Sequence, residues 1–275
     1  MNLRSYLYVS AAKADHLAKA PSRGADALIV DIEDGVGESQ KEFARENLRN
    51  WLSNQDEETN IYVRVNSDAI ENDIAIAVHP RVKGIVLPKS SRVEDIELAE
   101  RLLNKYEHAL GNLHLEVIAL IESAEGVLNA FSIAQHERVC RIILGEIDLR
   151  SDLSLDSKSG DETIHFARNT LLFASAAAKI DPPVASVSTN FKDLVAYKSS
   201  TIEYAQWGYF GRTCIHPAQI PIVNEVFSSS HEELEWARDI LARLDHADEG
   251  ATVDARGEMI DEAVAKIARK IMNLN

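Results

Sequence analysis

Between Ser5 and His216 the chain alternates eight short, β-compatible runs with helices or helix-length segments, and few folds accept that rhythm. The runs are Ser5 to Val9, Ala27 to Asp31, Ile61 to Val65, Gly84 to Leu87, Leu115 to Glu122, Ile142 to Leu144, Val184 to Val187 and Arg212 to Ile215. Several are apolar along most of their length, as in Leu28-Ile29-Val30 and Val117-Ile118-Ala119-Leu120-Ile121. Strands of that kind are buried on both faces, which suits a parallel sheet covered by helices. The expected architecture is therefore an α/β (β/α)8 TIM barrel over residues 1–228. A doubly wound open sheet is the alternative, but no G-x-G-x-x-G follows the first strand.

Residues 229–275 read as a C-terminal helical extension. Glu232 to Leu244 is amphipathic, and His246 to Gly257 is polar and glycine-punctuated. Ile260, Val264, Ile267 and Ile271 then recur at helical spacing. That stripe is expected to bury itself on the barrel or on a neighbouring subunit.

With 45% hydrophobic residues in 275, the chain has ample material for a core. Its 29 basic and 44 acidic residues give a net charge of −15, which argues against nucleic acid or an anionic membrane as a partner. No apolar run approaches the roughly 18 residues of a membrane span, and the N-terminus reads as a first strand rather than a signal peptide. Two isolated cysteines, Cys140 and Cys214, form neither a disulfide framework nor a zinc motif, and they point to a reducing cytoplasm.

Parallel barrels carry their chemistry at the carboxyl ends of the strands. Those ends nominate Asp31, Glu33, Asp34, Arg64, Lys89, Glu122, Asp148 and His216. Glu122 and Asp148 are oxygen donors without histidine or cysteine nearby in sequence, a set suited to Mg²⁺ or Mn²⁺. They could equally cap the helices that follow them. Arg64 could hold a substrate carboxylate in a bidentate fork or pair with Asp31, Glu33 or Asp34. His216 is more often a hydrogen-bonded structural residue than a catalyst, and Asp261 alone reads as a helix cap.

The chain resembles the citrate lyase β-subunit family, within the HpcH/HpaI aldolase and malyl-CoA lyase group. The resemblance rests on Asp31-Ile32-Glu33-Asp34-Gly35-Val36, Val63-Arg64-Val65-Asn66, Leu87-Pro88-Lys89 and Ile121-Glu122-Ser123-Ala124-Glu125-Gly126. It continues through Gly145-Glu146-Ile147-Asp148-Leu149, Ile215-His216-Pro217-Ala218-Gln219 and Gly257-Glu258-Met259-Ile260-Asp261. It implies a Mg²⁺ barrel acting on acyl-CoA thioesters, with Glu122 and Asp148 as metal ligands, Arg64 facing substrate, and Asp31, Glu33 and Asp34 in support. It also implies a homotrimer in which Asp261, on a C-terminal lid, serves a neighbouring subunit as acid and base. Three positions depart from the pattern. Ser10-Ala11-Ala12-Lys13 replaces a Pro-Gly-Asn-Arg-like turn near the expected CoA site, Ile147 replaces the usual acid before Asp148, and Asn190 stands where many relatives carry aspartate.

The function expected from this likeness is reversible cleavage of a 3-hydroxyacyl-CoA of the malyl-, citramalyl- or citryl-CoA kind to a 2-oxo acid and acetyl-CoA. Two rivals are a CoA-independent class II aldolase of free 2-oxo acids and a noncatalytic or complex-dependent citrate lyase-type subunit.

Overall fold

The computed structural model describes residues 3–54, 58–111, 113–155, 160–246, 252–253 and 257–273. They form two compact units, Leu3–Asn224 and a C-terminal unit beginning at Glu225. In the first, strands β1 (Ser5–Ser10), β2 (Ala27–Asp31), β3 (Asn60–Arg64), β4 (Val82–Leu87), β5 (Glu116–Ile121), β6 (Val139–Leu144) and β7 (Arg212–Cys214) make one sheet. Its order is β6-β5-β4-β3-β2-β1-β7, with every pairing parallel.

The ring closes through the segment expected to be an eighth strand, which shrinks to a two-residue bridge. Val184 pairs with Ile143 of β6 and Ala185 with Arg212 of β7. The Val184 N–H donates to the Ile142 carbonyl at 2.9 Å, and the Ala185 N–H to the Gly211 carbonyl at 3.0 Å. Pro182 and Pro183 supply no N–H, so the ladder cannot extend backwards. Beyond it, the Ser186 hydroxyl shares its one proton between the Leu144 carbonyl at 2.7 Å and Glu146 Oε1 at 3.0 Å. The architecture is of the TIM-barrel type.

Alternate residues of the strands fill the barrel interior: Tyr6, Ile29, Tyr62, Val86, Ile118, Leu120, Ile143 and Val184 belong to one buried cluster. The other faces are covered by helices α1 (Ala14–Lys19), α2 (Lys41–Ser53), α3 (Ile70–Ala77), α4 (Val93–Ala109), α5 (Ala124–Leu128), α6 (Ala130–Ala134), α7 (Glu146–Asp152), α8 (Asp161–Ala178) and α9 (Leu194–Trp207). The longer of them turn apolar side chains inward, as Leu48 and Leu52 on α2 and Ile96, Ala99 and Leu103 on α4. A side chain so buried contributes about 1.5–3 kcal/mol, which fixes each helix against its strands and each strand end at the rim.

Helix α10 (Ile220–Val226) leads into the C-terminal unit, which holds α11 (His231–Asp245), a short antiparallel pair β8 (Thr252–Val253) and β9 (Met259–Ile260), and α12 (Glu262–Asn273). Ser230 caps α11 in a reciprocal box with Glu233. Ile260, Val264, Ala268 and Ile271 pack with Ala237, Ile240, Leu241 and Leu244. The expected stripe is thus one residue off: Ile267 is 56% exposed, and Ala268 takes the buried place. From Val264 the spacing of four to Ala268 and three to Ile271 keeps one face, which Ile267 leaves. Among the described residues no helix is long and apolar enough to cross a membrane.

Candidate active site

A cavity of about 870 Å³ opens at the carboxyl ends of the strands, lined by Tyr8, Asp31, Asp34, Arg64, Glu122, Ile147, Asp148 and His216 among others. Parallel pairing sets Asp31, the last residue of β2, directly beside Arg64, the last of β3. The two lock in a bidentate fork, Arg64 Nε to Asp31 Oδ1 at 2.8 Å and Nη2 to Oδ2 at 2.7 Å. Arg64 Nη1 lies 3.1 Å from Glu33 Oε2, and the guanidinium sits 5.0 Å above the Tyr8 ring. Burial opposes its charge, but the hydrogen bonds and charge of Asp31 outweigh burial and hold Arg64 above its ordinary pKa. Of the two readings open for Arg64, the structure realises the ion pair, and the guanidinium still reaches the cavity wall.

Asp31 also accepts the N–H groups of Glu33 at 2.9 Å and Gly35 at 2.8 Å, folding the acidic turn back on itself. Only glycine fits at 35, because a Cβ there would stand 2.2 Å from Asp31 Oδ2. The buried Lys41 ammonium ties the same turn from below, donating to the Ile32 and Glu33 carbonyls at 2.9 and 2.7 Å. Asp31→Asn removes one charge of this buried pair, and such losses cost about 3–5 kcal/mol. Thermal melts of the variant should show a loss in that range, reduced by whatever Glu33 retains of the Arg64 pairing.

Glu33 is buried, and neither carboxylate oxygen accepts a hydrogen bond, although Arg64 and Lys89 lie 3.1 and 3.7 Å away. Burial, with the charges of Asp34 and Asp31 added and that of Arg64 opposed, raises its pKa. Asp34 is exposed on the cavity rim.

Glu122 stands one residue past β5 and accepts the Lys89 backbone N–H at 2.8 Å through Oε1. Lys89 adopts a left-handed conformation, φ 54°, and so points that N–H at the carboxylate. Capping of the next helix falls to Ser123, whose hydroxyl accepts the Gly126 N–H at 3.1 Å. Asp148 lies in the first turn of α7, whose cap position, Gly145, offers no side chain. The capping alternative therefore fails for Glu122, and Asp148 projects into the cavity as an exposed side chain. Burial pushes the Glu122 carboxyl up to about 7; the Lys89 N–H works against this, and the charges of Glu33 and Asp148 add to it.

This crowding of negative charge is what a divalent cation relieves. The donors are carboxylate oxygens, and among the described residues no group of three or more His, Cys, Asp or Glu forms a closed cage. Two carboxylates with the remaining positions left to water and substrate fit Mg²⁺ and do not fit structural zinc.

Two sequence candidates take structural roles. His216 Nδ1 accepts the Ala218 N–H at 3.2 Å, and its ring stacks on Phe191 at 5.1 Å. Asp261, in the C-terminal unit, caps α12 by accepting the Ala263 and Val264 N–H groups at 2.9 and 3.0 Å, both through Oδ1. Glu146 turns toward α8, where both its oxygens meet Arg168 at 2.6 Å and where Ser186 and Tyr204 also donate to it. Burial would raise Glu146, but Arg168 and the two hydroxyls outweigh it and hold the carboxyl below its ordinary value.

Matched against protein families, residues 4–217 fit the HpcH/HpaI aldolase/citrate lyase model, and residues 181–274 that of the carbon–carbon bond lyases of the TIM-barrel fold. The chain belongs to the HpcH/HpaI aldolase/citrate lyase family. It is 32% identical over 249 residues to a (3S)-malyl-CoA thioesterase of Cereibacter sphaeroides, covering 89% of this chain and 84% of that one. It is 30% identical to the citrate lyase subunit beta of Leuconostoc mesenteroides, covering 91% and 86%. Among solved structures it resembles CitE of Mycobacterium tuberculosis in complex with magnesium, acetoacetate and coenzyme A, at a TM-score of 0.77 and 28% identity over 99% of this chain and 98% of that one.

One set of lining residues in this family member extends past the sequence reading, which places only Lys13, in the turn after the first strand, near the expected CoA site. Lys13, His16, Lys19 and Arg23, on α1 and the turns around it, all reach the cavity, and among the described residues none has an ion-pair partner. Their signal was present as a basic spacing of three to four in an acidic chain. Only the fold aims it at the strand ends.

Proposed function

We propose that this protein is a Mg²⁺-dependent carbon–carbon lyase that cleaves, or forms, a 3-hydroxyacyl-CoA of the malyl-, citramalyl- or citryl-CoA kind, with a 2-oxo acid and acetyl-CoA on the other side of the reaction. The observation that carries it is the meeting of Glu122, Asp148 and the Asp31-held Arg64 at one cavity. Glu122 and Asp148 would hold the metal, which supplies Lewis acidity to the oxygens of the oxo acid. Arg64, kept rigid by Asp31 and Glu33, would offer its remaining N–H groups to the substrate carboxylate. Lys13, His16, Lys19 and Arg23 suit the phosphates of coenzyme A, and they supply a local positive face in a chain of net charge −15.

Asp261 would act as acid and base from the C-terminal unit of a neighbouring subunit, in a homotrimer whose C-terminal units serve as lids. The match of the carbon–carbon bond lyase model over residues 181–274 supports this reading, since it spans Asp261. So does the cap geometry, which uses Oδ1 twice and leaves Oδ2 for a proton. In condensation Asp261 takes a proton from the thioester methyl group, and that carbon bonds to the oxo carbon, whose oxygen gains a proton and becomes the hydroxyl. Cleavage reverses each step.

A panel of malyl-, citramalyl- and citryl-CoA, with and without Mg²⁺, tests the proposal. Metal-dependent release of acetyl-CoA and a 2-oxo acid is the expected result. Free CoA with an intact hydroxy acid would reassign the site to thioester hydrolysis. Cleavage of free hydroxy-oxo acids without any affinity for CoA would favour the CoA-independent aldolase, and activity appearing only with added carrier and transferase subunits would favour the complex-dependent one.

A further inference from the structure

Two aliphatic side chains on the cavity wall are left open to water: Ile147, 53% exposed, and Ile215, 38% exposed. The lining residues Leu7, Val9, Leu120, Ile143 and Leu144, by contrast, are buried. Ile147 stands in the first turn of α7, between Glu146 and Asp148. Glu146 cannot swing its charge into the cavity without giving up Arg168, Ser186 and Tyr204. That turn therefore presents one branched hydrocarbon beside one free carboxylate.

The cationic groups that line the wall stand on other elements than α7. Lys13, His16, Lys19 and Arg23 follow β1, and Arg64 ends β3. Next to Ile215 in the chain is His216, whose Nδ1 is occupied by Ala218 and whose ring lies against Phe191. A carboxylate held against Ile147 would lose water to hydrocarbon and stand next to Asp148, and the cation of α7, Arg150, is already paired with Asp161. An alkyl group in the same place would instead take the exposed face of Ile147 out of water, and one set against Ile215 would do the same there.

We propose that Ile147, with Ile215, is the specificity-determining wall that reads the substituent on the oxo carbon and selects an uncharged alkyl group over one bearing a carboxylate. The inference rests on the lyase reading above and narrows its substrate class. The favoured thioesters are of the citramalyl-CoA kind or its longer alkyl homologues, formed from pyruvate or 2-oxobutanoate, and the disfavoured one is of the citryl-CoA kind, formed from oxaloacetate.

The test runs condensation with acetyl-CoA and Mg²⁺ on pyruvate, 2-oxobutanoate and oxaloacetate, and compares kcat/KM within each variant. Wild type should prefer the better alkyl acid to oxaloacetate by about 10-fold or more, the low end of what one apolar group in a pocket discriminates. Ile147→Ala should lower that preference, and Ile147→Lys, which supplies the missing cation, should move it toward oxaloacetate by about 10-fold. Calorimetric titration of pyruvate and oxaloacetate into the Mg²⁺-loaded protein reads the same wall without turnover. Equal or better use of oxaloacetate by wild type overturns the proposal, as does a ratio that neither variant moves. If no acid is turned over, the lyase reading falls, and the titration still decides the wall: tighter pyruvate binding that is lost in Ile147→Ala upholds it, and binding without preference overturns it.

Discussion

Glu122→Gln should lower kcat/KM by about 100-fold or more and abolish the Mg²⁺ dependence of whatever activity remains, because metal Lewis acidity supplies several kcal/mol and each 1.36 kcal/mol is tenfold in rate. Glutamine keeps the size of the side chain and can still accept the Lys89 N–H through its amide oxygen, so the strand end survives. Asp148→Asn, on an exposed residue, should weaken Mg²⁺ binding without changing thermal stability. Titration calorimetry with Mg²⁺ measures both, and wild-type affinity in the two variants would remove them as ligands.

The same carboxylate sets a pH dependence. Its folded value of about 7 lies above the ordinary 4.5, so between those values the folded protein holds a proton that the unfolded chain has released. The contribution of Glu122 to the stability of metal-free protein is therefore complete below about 4.5 and is lost as the pH rises through about 7. Thermal melts in chelator should show wild type losing stability over that window relative to Glu122→Gln, and saturating Mg²⁺ should remove the difference. Parallel curves in chelator would contradict the assignment.

Asp261→Asn should suppress turnover by about 10² to 10⁴-fold, the span of general acid–base catalysis, while Mg²⁺ affinity stays at the wild-type level. Asparagine is as good a helix cap as aspartate, so the Ala263 and Val264 hydrogen bonds persist and α12 remains capped. A structural role and a proton-transfer role thus separate in one substitution. Asp261→Ala adds loss of the cap, typically about 1 kcal/mol, and gives a stability control. Unchanged kcat in Asp261→Asn would remove the residue from the reaction. If its partner site belongs to another subunit, mixing Asp261→Asn with Glu122→Gln protein should restore a fraction of the activity that neither has alone.

Much of the site was legible because its residues end strands. The rule that a parallel barrel works at its strand carboxyl ends picked Asp31, Glu33, Asp34, Arg64, Glu122 and Asp148 from local pattern, and the structure gathers all of them at the barrel's carboxyl-end rim, around one cavity. What these side chains do to one another was not legible. Sequence left Arg64 divided between substrate and ion pair; the β2–β3 register, which aligns it with Asp31, makes the pair, and the guanidinium still reaches the cavity wall. It left Glu122 and Asp148 divided between metal and helix caps; Ser123 and Gly145 hold the cap positions.

The sequence by itself determined where the strands and helices lie and which ends carry acid, because burial periodicity and backbone propensity act over neighbours within a few residues. Only the tertiary structure decided that Val184 and Ala185 close the ring as a bare bridge, that Ile267 leaves the apolar stripe to Ala268, and that Lys13, His16, Lys19 and Arg23 face the cavity. It also decided that Glu146 spends its charge on Arg168 while Ile147 lines the cavity. Each of these depends on contacts between segments distant in the chain, whose orientation is fixed when the sheet twists, pairs and closes.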